Sequence, residues 1–156
     1  MAAPSAVEQR LAAVGLDVPA LVPPLAAYTP AVSTGSLVFT AGQLPLRAGE
    51  LLAEGVVGHG VTPDEAVMCA QQCALNAIAA VKAEIGDLDR VTRVVKVVVF
   101  VASSSDFFQQ PAVADGASGL LATAFGEAGR HARSAVGVAV LPLNAPVEVE
   151  IVVAVG

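Results

Sequence analysis

Residues Val91 to Ala102 read Val-Thr-Arg-Val-Val-Lys-Val-Val-Val-Phe-Val-Ala, a run that is β-branched almost throughout. Branching at Cβ restricts χ1 and suits a pleated, buried surface better than a helix. Such a run predicts a central strand, ended by Ser103-Ser104-Ser105-Asp106. The rest of the chain must therefore supply a sheet around this strand and a layer to cover it.

The clearest covering element begins at Thr62-Pro63-Asp64-Glu65. A Thr N-cap, a Pro at the first helical position and a Glu at the third form a capping box. The helix is expected to run to about Ile85 and stop at Gly86, burying Ala66, Val67, Ala70, Cys73, Ala74, Ala77, Ile78 and Val81. A second helix is expected within residues 107–125, its start blurred by Pro111, Gly116 and Gly119. Ser5 to Val14 reads as a short helix with Ser5 as cap and Gly15 past its end. Residues 16–33, rich in Pro and Ala, read as extended. Ser36 to Thr40 reads as a strand broken by Gly42-Gln43-Leu44-Pro45, and residues 46–61, with four glycines, as a loose hairpin or loop. Two strands, about Arg133 to Leu141 and Val147 to Val155, close the chain as a hairpin turning near Leu143 or Asn144. The sum is an α+β fold: a mixed β-sheet with two main helices packed on one face, plus a short N-terminal helix. No repeat or linker is visible, so residues 1–156 are read as one domain with residues 1–24 as an N-terminal extension.

Composition narrows the function. Apolar residues make up 55% of the chain and charged residues 14%, too apolar for disorder and poor in charge for a soluble monomer. Part of the apolar surface is expected between subunits. A net charge of -6, no Trp, one Tyr and no basic patch argue against a nucleic-acid partner. Met1 to Val14 contains Glu8 and Arg10 and lacks the apolar centre of a secretory signal, and no apolar run reaches membrane-span length. The expectation is a cytoplasmic protein with no membrane partner. Cys69 and Cys73 stand four apart on the predicted helix, which is not a zinc-site spacing, and two His residues do not complete one. They read as core thiols in a reducing compartment, and no metal is expected.

With only eight Lys plus Arg in the chain, the cation in His131-Ala132-Arg133-Ser134, at the mouth of an apolar strand, calls for an explanation. Arg133 is either a bidentate clamp for a carboxylate or one end of an interface salt bridge. In Val147-Glu148-Val149-Glu150, Glu148 is either a carboxylate for proton transfer or part of a solvated strand face shared with Glu150. Tyr28 either binds substrate through its hydroxyl or packs. His131 is either a proton-transfer group or, as a single His beside a loop commonly is, structural, and Arg130 and His59 carry less. Nothing points to a Ser-His-Asp triad. Along the expected hairpin, Arg133 and Glu148 are offset by roughly 17 Å at about 3.3 Å per residue. If both serve one small substrate, they come from adjacent subunits.

Ala132-Arg133-Ser134, Leu141-Pro142 and Val147-Glu148-Val149-Glu150 resemble the C-terminal signature of the Rid family, the reactive intermediate deaminases also called YjgF. Val38-Phe39-Thr40-Ala41-Gly42-Gln43-Leu44-Pro45 resembles that family's early strand and glycine turn, Tyr28 matches its active-site tyrosine by position, and Gly86 to Val91 also fits. The likeness covers about residues 25–155. It implies a fold like that of the trimeric chorismate mutases and a homotrimer with clefts between subunits. It implies hydrolysis of 2-imino and enamine acids to 2-keto acids and ammonia, without metal or organic cofactor. Arg133 and Glu148 would be catalytic, and Tyr28, Ala41, Gly42, Arg133 and Ala135 would line the substrate. The chain departs from the archetype at Ala135, where a Cys is usual, and at Ala41, where a Ser is usual. The family's active-site Asn has no secure counterpart; Asp115 or Ser118 is expected to stand nearby. These departures mark a divergent subgroup. They leave open a non-catalytic trimeric module binding small carboxylates, or a related hydrolase with a larger substrate. Ribonuclease activity, attached to some members, is disfavoured by the acidic charge.

Overall fold

The computed structural model describes residues 2–21, 23–24 and 26–156. Met1 and Val22 of the expected extension, and Leu25, lie outside them. The chain forms α1 (Ala6–Ala12), β1 (Ala31–Thr34), β2 (Leu37–Thr40), β3 (Leu46–Arg47), β4 (Glu50–Leu51), β5 (Val56–Val57), β6 (Gly60–Val61), α2 (Pro63–Ile85), β7 (Val91–Ala102), α3 (Gln110–Phe125), β8 (Ala132–Val138) and β9 (Val147–Val155). The main sheet has the order β1-β2-β9-β7-β8. It is mixed: β7 and β8 run parallel and every other neighbouring pair antiparallel. The long helices α2 and α3 pack on it, with short α1 against α3.

The elements expected from caps and periodicity form where their residues direct. Thr62 and Glu65 exchange hydrogen bonds in the predicted capping box, and α2 ends at Gly86, whose φ of 83° suits glycine. Residues 46–61 form two small ladders: β3 and β4 join through Ala48 and Gly49, both at positive φ, as a tight two-residue hairpin requires. By length and composition α2 is apolar enough to cross a membrane, but 67% of its most apolar window is buried within the fold, which marks a core helix.

Two expectations change. Residues 31–34, read only as extended, pair with β2 as an edge strand. The closing hairpin does not exist: β7 lies between β8 and β9 and pairs with both. β7, α3 and β8 form a strand–helix–strand crossover, so β8 returns parallel to β7. The turn at Pro142–Asn144, with Leu143 and Asn144 at positive φ, then carries the chain to the other side of β7.

The sheet has two unlike faces. Val97, Val99, Val101, Val147, Val149, Ile151 and Val153 are buried on the helix side. The alternate residues face away. There Phe39 pairs with Val152 and Val32, and Val136 pairs with Phe100. Val32, Phe39 and Val136 remain exposed at 53%, 40% and 43%.

α2 and α3 meet at backbone contact. A Cβ on Gly116 would overlap the carbonyl oxygen of Val67. Gly116→Ala must push the helices apart and is expected to cost about 1–3 kcal/mol, read as a fall of several degrees in Tm. An unchanged Tm would show that the two helices can separate freely.

α1 is fastened at several points. Ser5 and Glu8 form a capping box, the Asp89 carboxylate accepts from the backbone N–H of Ala6 and Val7, and Arg10 Nε donates to the Ala124 carbonyl at 2.8 Å. Glu8 also pairs with Lys82. The Lys82 ammonium, then the Ser5 N–H and hydroxyl, hold the Glu8 carboxyl down at about 2. A depressed carboxylate stabilises the fold fully above its ordinary value of 4.5 and loses that contribution as pH falls from 4.5 towards 2. The pair is partly solvated, so the contribution is at most about 1 kcal/mol. Melting curves at pH 5, 3 and 2 should therefore fall less steeply for Glu8→Gln than for the wild-type chain; parallel curves would rule the linkage out.

Candidate functional site

Arg133 stands second in β8, level with the buried Val97 of β7, so its side chain rises on the helix face. There α3 presents Asp115 and Ser118, one helical turn apart on one side of the helix. Arg133 Nη1 donates to Asp115 Oδ1 at 2.8 Å and to Ser118 Oγ at 3.2 Å. Asp115 and Ser118, the polar residues offered near the place of the family's Asn, thus both bond Arg133. The Arg133 side chain is 24% exposed and that of Asp115 72%. Nε and Nη2, the edge that binds a carboxylate side-on, make no hydrogen bond among the described residues, and no buried side-chain polar atom among them lacks a partner. That edge is open to solvent.

Behind Ser118 stands His131. Its Nε2 lies 2.9 Å from Ser118 Oγ, and its Nδ1 lies 2.6 Å from the Gly129 carbonyl. His131 precedes Arg133 by two, so the two side chains leave the backbone on the same side. Ala135, two further along, also packs towards the core. The Arg133 half of the site therefore consists of Arg133, Ala135, Asp115, Ser118 and His131.

Glu148 lies elsewhere. It pairs with Phe100 on β7, between the buried Val147 and Val149, and so projects from the helix-free face. Arg133 and Glu148 are three residues apart along β7 and two strands apart across it, about 14 Å between backbones, on opposite faces. The 17 Å hairpin offset is replaced, because no hairpin joins the two strands. One chain still does not bring the two residues to one small substrate.

Glu148 instead meets the glycine turn. Gln43 and Val149 exchange backbone hydrogen bonds at 2.8 and 3.0 Å, and this lays Gly42 against the Glu148 carboxylate. A Cβ at position 42 would overlap Glu148 Oε1, so any larger residue there must displace the glutamate side chain. Ala41 N–H donates to the Pro30 carbonyl at 2.7 Å, which brings the segment carrying Tyr28 to the same turn. Tyr28 is 57% exposed. Burial, and then the charge of Glu150, push the Glu148 carboxyl above its usual range. Among the described residues its carboxylate has no hydrogen-bond donor.

The remaining candidates separate from both halves. Cys73 is fully buried and Cys69 nearly so. Burial raises the Cys69 thiol to about 11 and the Cys73 thiol well above its ordinary range, so neither is a nucleophile. His59 sits at the tip joining β5 and β6, and Arg130 makes an exposed pair with Glu127. No group of three or more His, Cys, Asp or Glu residues is placed to hold a metal among the described residues. The grouping of Ser118 with His131 was not read from sequence. Its only signal was the spacing itself: 131 and 133 share a strand face, and 115 and 118 share a helix face.

Comparison with known proteins bears on these halves. Residues 8–154 match the family described as "YjgF/chorismate_mutase-like, putative endoribonuclease". The match begins inside the segment read as an N-terminal extension. Protein TCP17 of Trypanosoma cruzi is 44% identical over 148 residues, 94% of this chain and 92% of that protein. A 2-iminobutanoate/2-iminopropanoate deaminase of Dermatophagoides farinae is 34% identical over 140 residues, 88% of this chain and 93% of that protein. The crystal structure of protein Atu1372 of Agrobacterium tumefaciens superposes with a TM-score of 0.91 at 43% identity, covering 96% of this chain and 92% of that one. By the extent of the family match and by these relatives, the chain belongs to the YjgF/Rid family.

Proposed function

We propose that this protein hydrolyses reactive 2-imino and enamine acids to 2-keto acids and ammonia, in clefts between the subunits of a homotrimer. The observation that carries the reading is the Arg133 guanidinium, held through Nη1 with its Nε–Nη2 edge open. This is the arrangement needed to take one carboxylate in a fixed orientation. The deaminase relative at 34% identity supports the substrate class.

The chemistry asks little of the protein. Water adds to the C=N carbon, giving a carbinolamine; the C–N bond then breaks, releasing ammonia and leaving the ketone. Glu148, ionised, carries both protons of the water to the nitrogen in turn: the first as water adds, the second from the carbinolamine hydroxyl as the C–N bond breaks and its electron pair leaves with ammonia. An enamine first takes a proton at carbon. Arg133 fixes the carboxylate so that the imine carbon meets the water held by Glu148. Tyr28, Ala41 and Gly42 line the Glu148 side, and Ala135 the Arg133 side.

Because the two halves lie on opposite faces in one chain, a complete site takes Arg133 from one subunit and Glu148 from the next. The exposed apolar side chains of the helix-free face, with Phe39 and Val32 paired beside one another, supply surface for that contact.

The test is release of 2-keto acid and ammonia from imines generated in place by an amino-acid oxidase. Arg133→Ala should lose roughly ten- to a hundredfold in kcat/KM, the loss of one charge-assisted pair. Arg133→Lys should also be poor, since a point charge does not replace the fork. Mixing Arg133→Ala with Glu148→Ala under subunit exchange should raise activity above either parent and keep it below wild type. No recovery, with exchange confirmed by mass, would remove the shared site. Carboxylate binding without imine turnover would instead identify a non-catalytic binding module.

A second outcome concerns pH. The Glu148 carboxyl is raised by burial and by Glu150, so it ionises later than an ordinary carboxylate. The acid limb of the rate profile should therefore lie above the usual carboxylate range, with activity growing as pH rises through it. Glu150→Gln should move that limb to lower pH. A limb that stays in place would show that another group sets it.

A further inference from the structure

We propose that Ser118 and His131 are positioning residues: through a one-way hydrogen-bond chain they keep the binding edge of Arg133 open for the carboxylate of a small 2-imino or 2-keto acid, against capture of that arginine by Asp115. The inference rests on the reading of Arg133 as the carboxylate site and adds how the site is kept vacant.

The two ends of the chain fix its direction. The Gly129 carbonyl only accepts, so His131 Nδ1, 2.6 Å away, carries the proton. In a neutral ring Nε2 is then bare and accepts from the Ser118 hydroxyl at 2.9 Å. An arginine only donates, so Nη1 gives its hydrogen to Ser118 Oγ at 3.2 Å, filling a lone pair that the hydroxyl has left free. Every atom in the sequence Arg133, Ser118, His131, Gly129 thus has one role, and none can be exchanged without breaking a neighbour's bond.

Asp115 makes the chain necessary. Its carboxylate lies 2.8 Å from the same Nη1, on a side chain 72% exposed. A carboxylate this close and this exposed is a competitor for the substrate, since a guanidinium prefers a two-nitrogen contact to a single one. Ser118, bonded to Nη1 from the α3 side, sets the plane of the guanidinium and limits Asp115 to one nitrogen. Nε and Nη2 remain for the incoming acid. Without Ser118, rotation of the guanidinium lets Asp115 take two nitrogens and close the site with the protein's own carboxylate.

The charged and titratable groups around His131 are few. Arg93, Glu127 and Arg130 line the same recess, and Asp115 and Arg133 lie across Ser118. None of them bonds His131, so among the described residues its ring is held by Ser118 and Gly129 alone.

The experiment uses pyruvate as probe, its dissociation constant measured by calorimetry on the intact protein, with Tm taken for each variant. Ser118→Ala is expected to weaken pyruvate binding roughly tenfold, the loss of a hydrogen bond to a charged group. His131→Leu should weaken it in the same direction. Ser118→Thr, which keeps the hydroxyl, and His131→Gln, which keeps an acceptor for it, should retain most of the affinity. The deciding readout is the Asp115→Asn background, where Ser118→Ala should cost much less, because the competing carboxylate is gone. A merely structural role for Ser118 would give the same loss in both backgrounds and would overturn the proposal, as would unchanged affinity in Ser118→Ala. In imine turnover the effect should fall on KM with kcat little changed. Turnover by the wild-type chain with the same KM in Ser118→Ala would sink the positioning role and leave the deaminase reading standing. Pyruvate binding that depends on Ser118, in a protein that turns over no imine, would do the reverse. No pyruvate binding at millimolar concentration would end both.

Discussion

The pairing of β7 on both of its edges decides where every chemical group ends up. β7 meets β8 in parallel register and β9 in antiparallel register, and side-chain direction along a strand alternates strictly. Once Val97, Val99 and Val101 are committed to the core, Arg133 must rise with Val97 towards the helices. Glu148, opposite Phe100, must leave on the other side. A slip of one residue in either ladder would exchange these assignments, taking Arg133 away from Asp115 and Ser118 or placing the Glu148 carboxylate among the core valines. The core therefore fixes the chemistry through parity, with no direct contact between the two groups.

This arrangement gives the two halves different electrical characters. The arginine side is crowded with partners: a carboxylate, and a hydroxyl held in turn by an imidazole. The glutamate side has almost none. Glu148 meets a bare glycine turn and a second carboxylate on the same face. Burial without a donor is what lifts its proton affinity. A site built from both would join a rigid anion holder to an adjustable proton acceptor.

Much of the fold is legible in the sequence because local chemistry dictates it. The limits of α2, β7 and β9 follow from a capping box, a β-branched run and an alternating segment. Adjacency is not local. Leu141-Pro142-Leu143-Asn144 signals a turn, and a turn between two strands reads as a hairpin; whether a third strand lies between them depends on the α3 crossover. Arg133 and Glu148 were visible as rare charges in an apolar context. The faces they occupy were not, because parity is set by the partner strand. Gly42 was readable as a turn breaker, whereas its contact with Glu148 depends on a bridge to Val149. Gly116 reads in the sequence only as blurring the start of a helix, and it is the point where two helices touch.

The strand order carries one more consequence. β9 is the middle strand of the sheet, between β2 and β7, yet it is translated after all four of the strands it unites. Before it leaves the ribosome, the emerging polypeptide can hold only two separate parts of the main sheet, β1 with β2 and β7 with β8, each with an open edge. Nothing joins them until Val147 to Val155 slides between. Folding must then be a late, nearly all-at-once event governed by distant contacts, which is slow and leaves edges exposed while it waits. A nascent chain released before Val147 is translated would lack the centre of its sheet instead of its margin, with both broken ladders ready to pair with a neighbour.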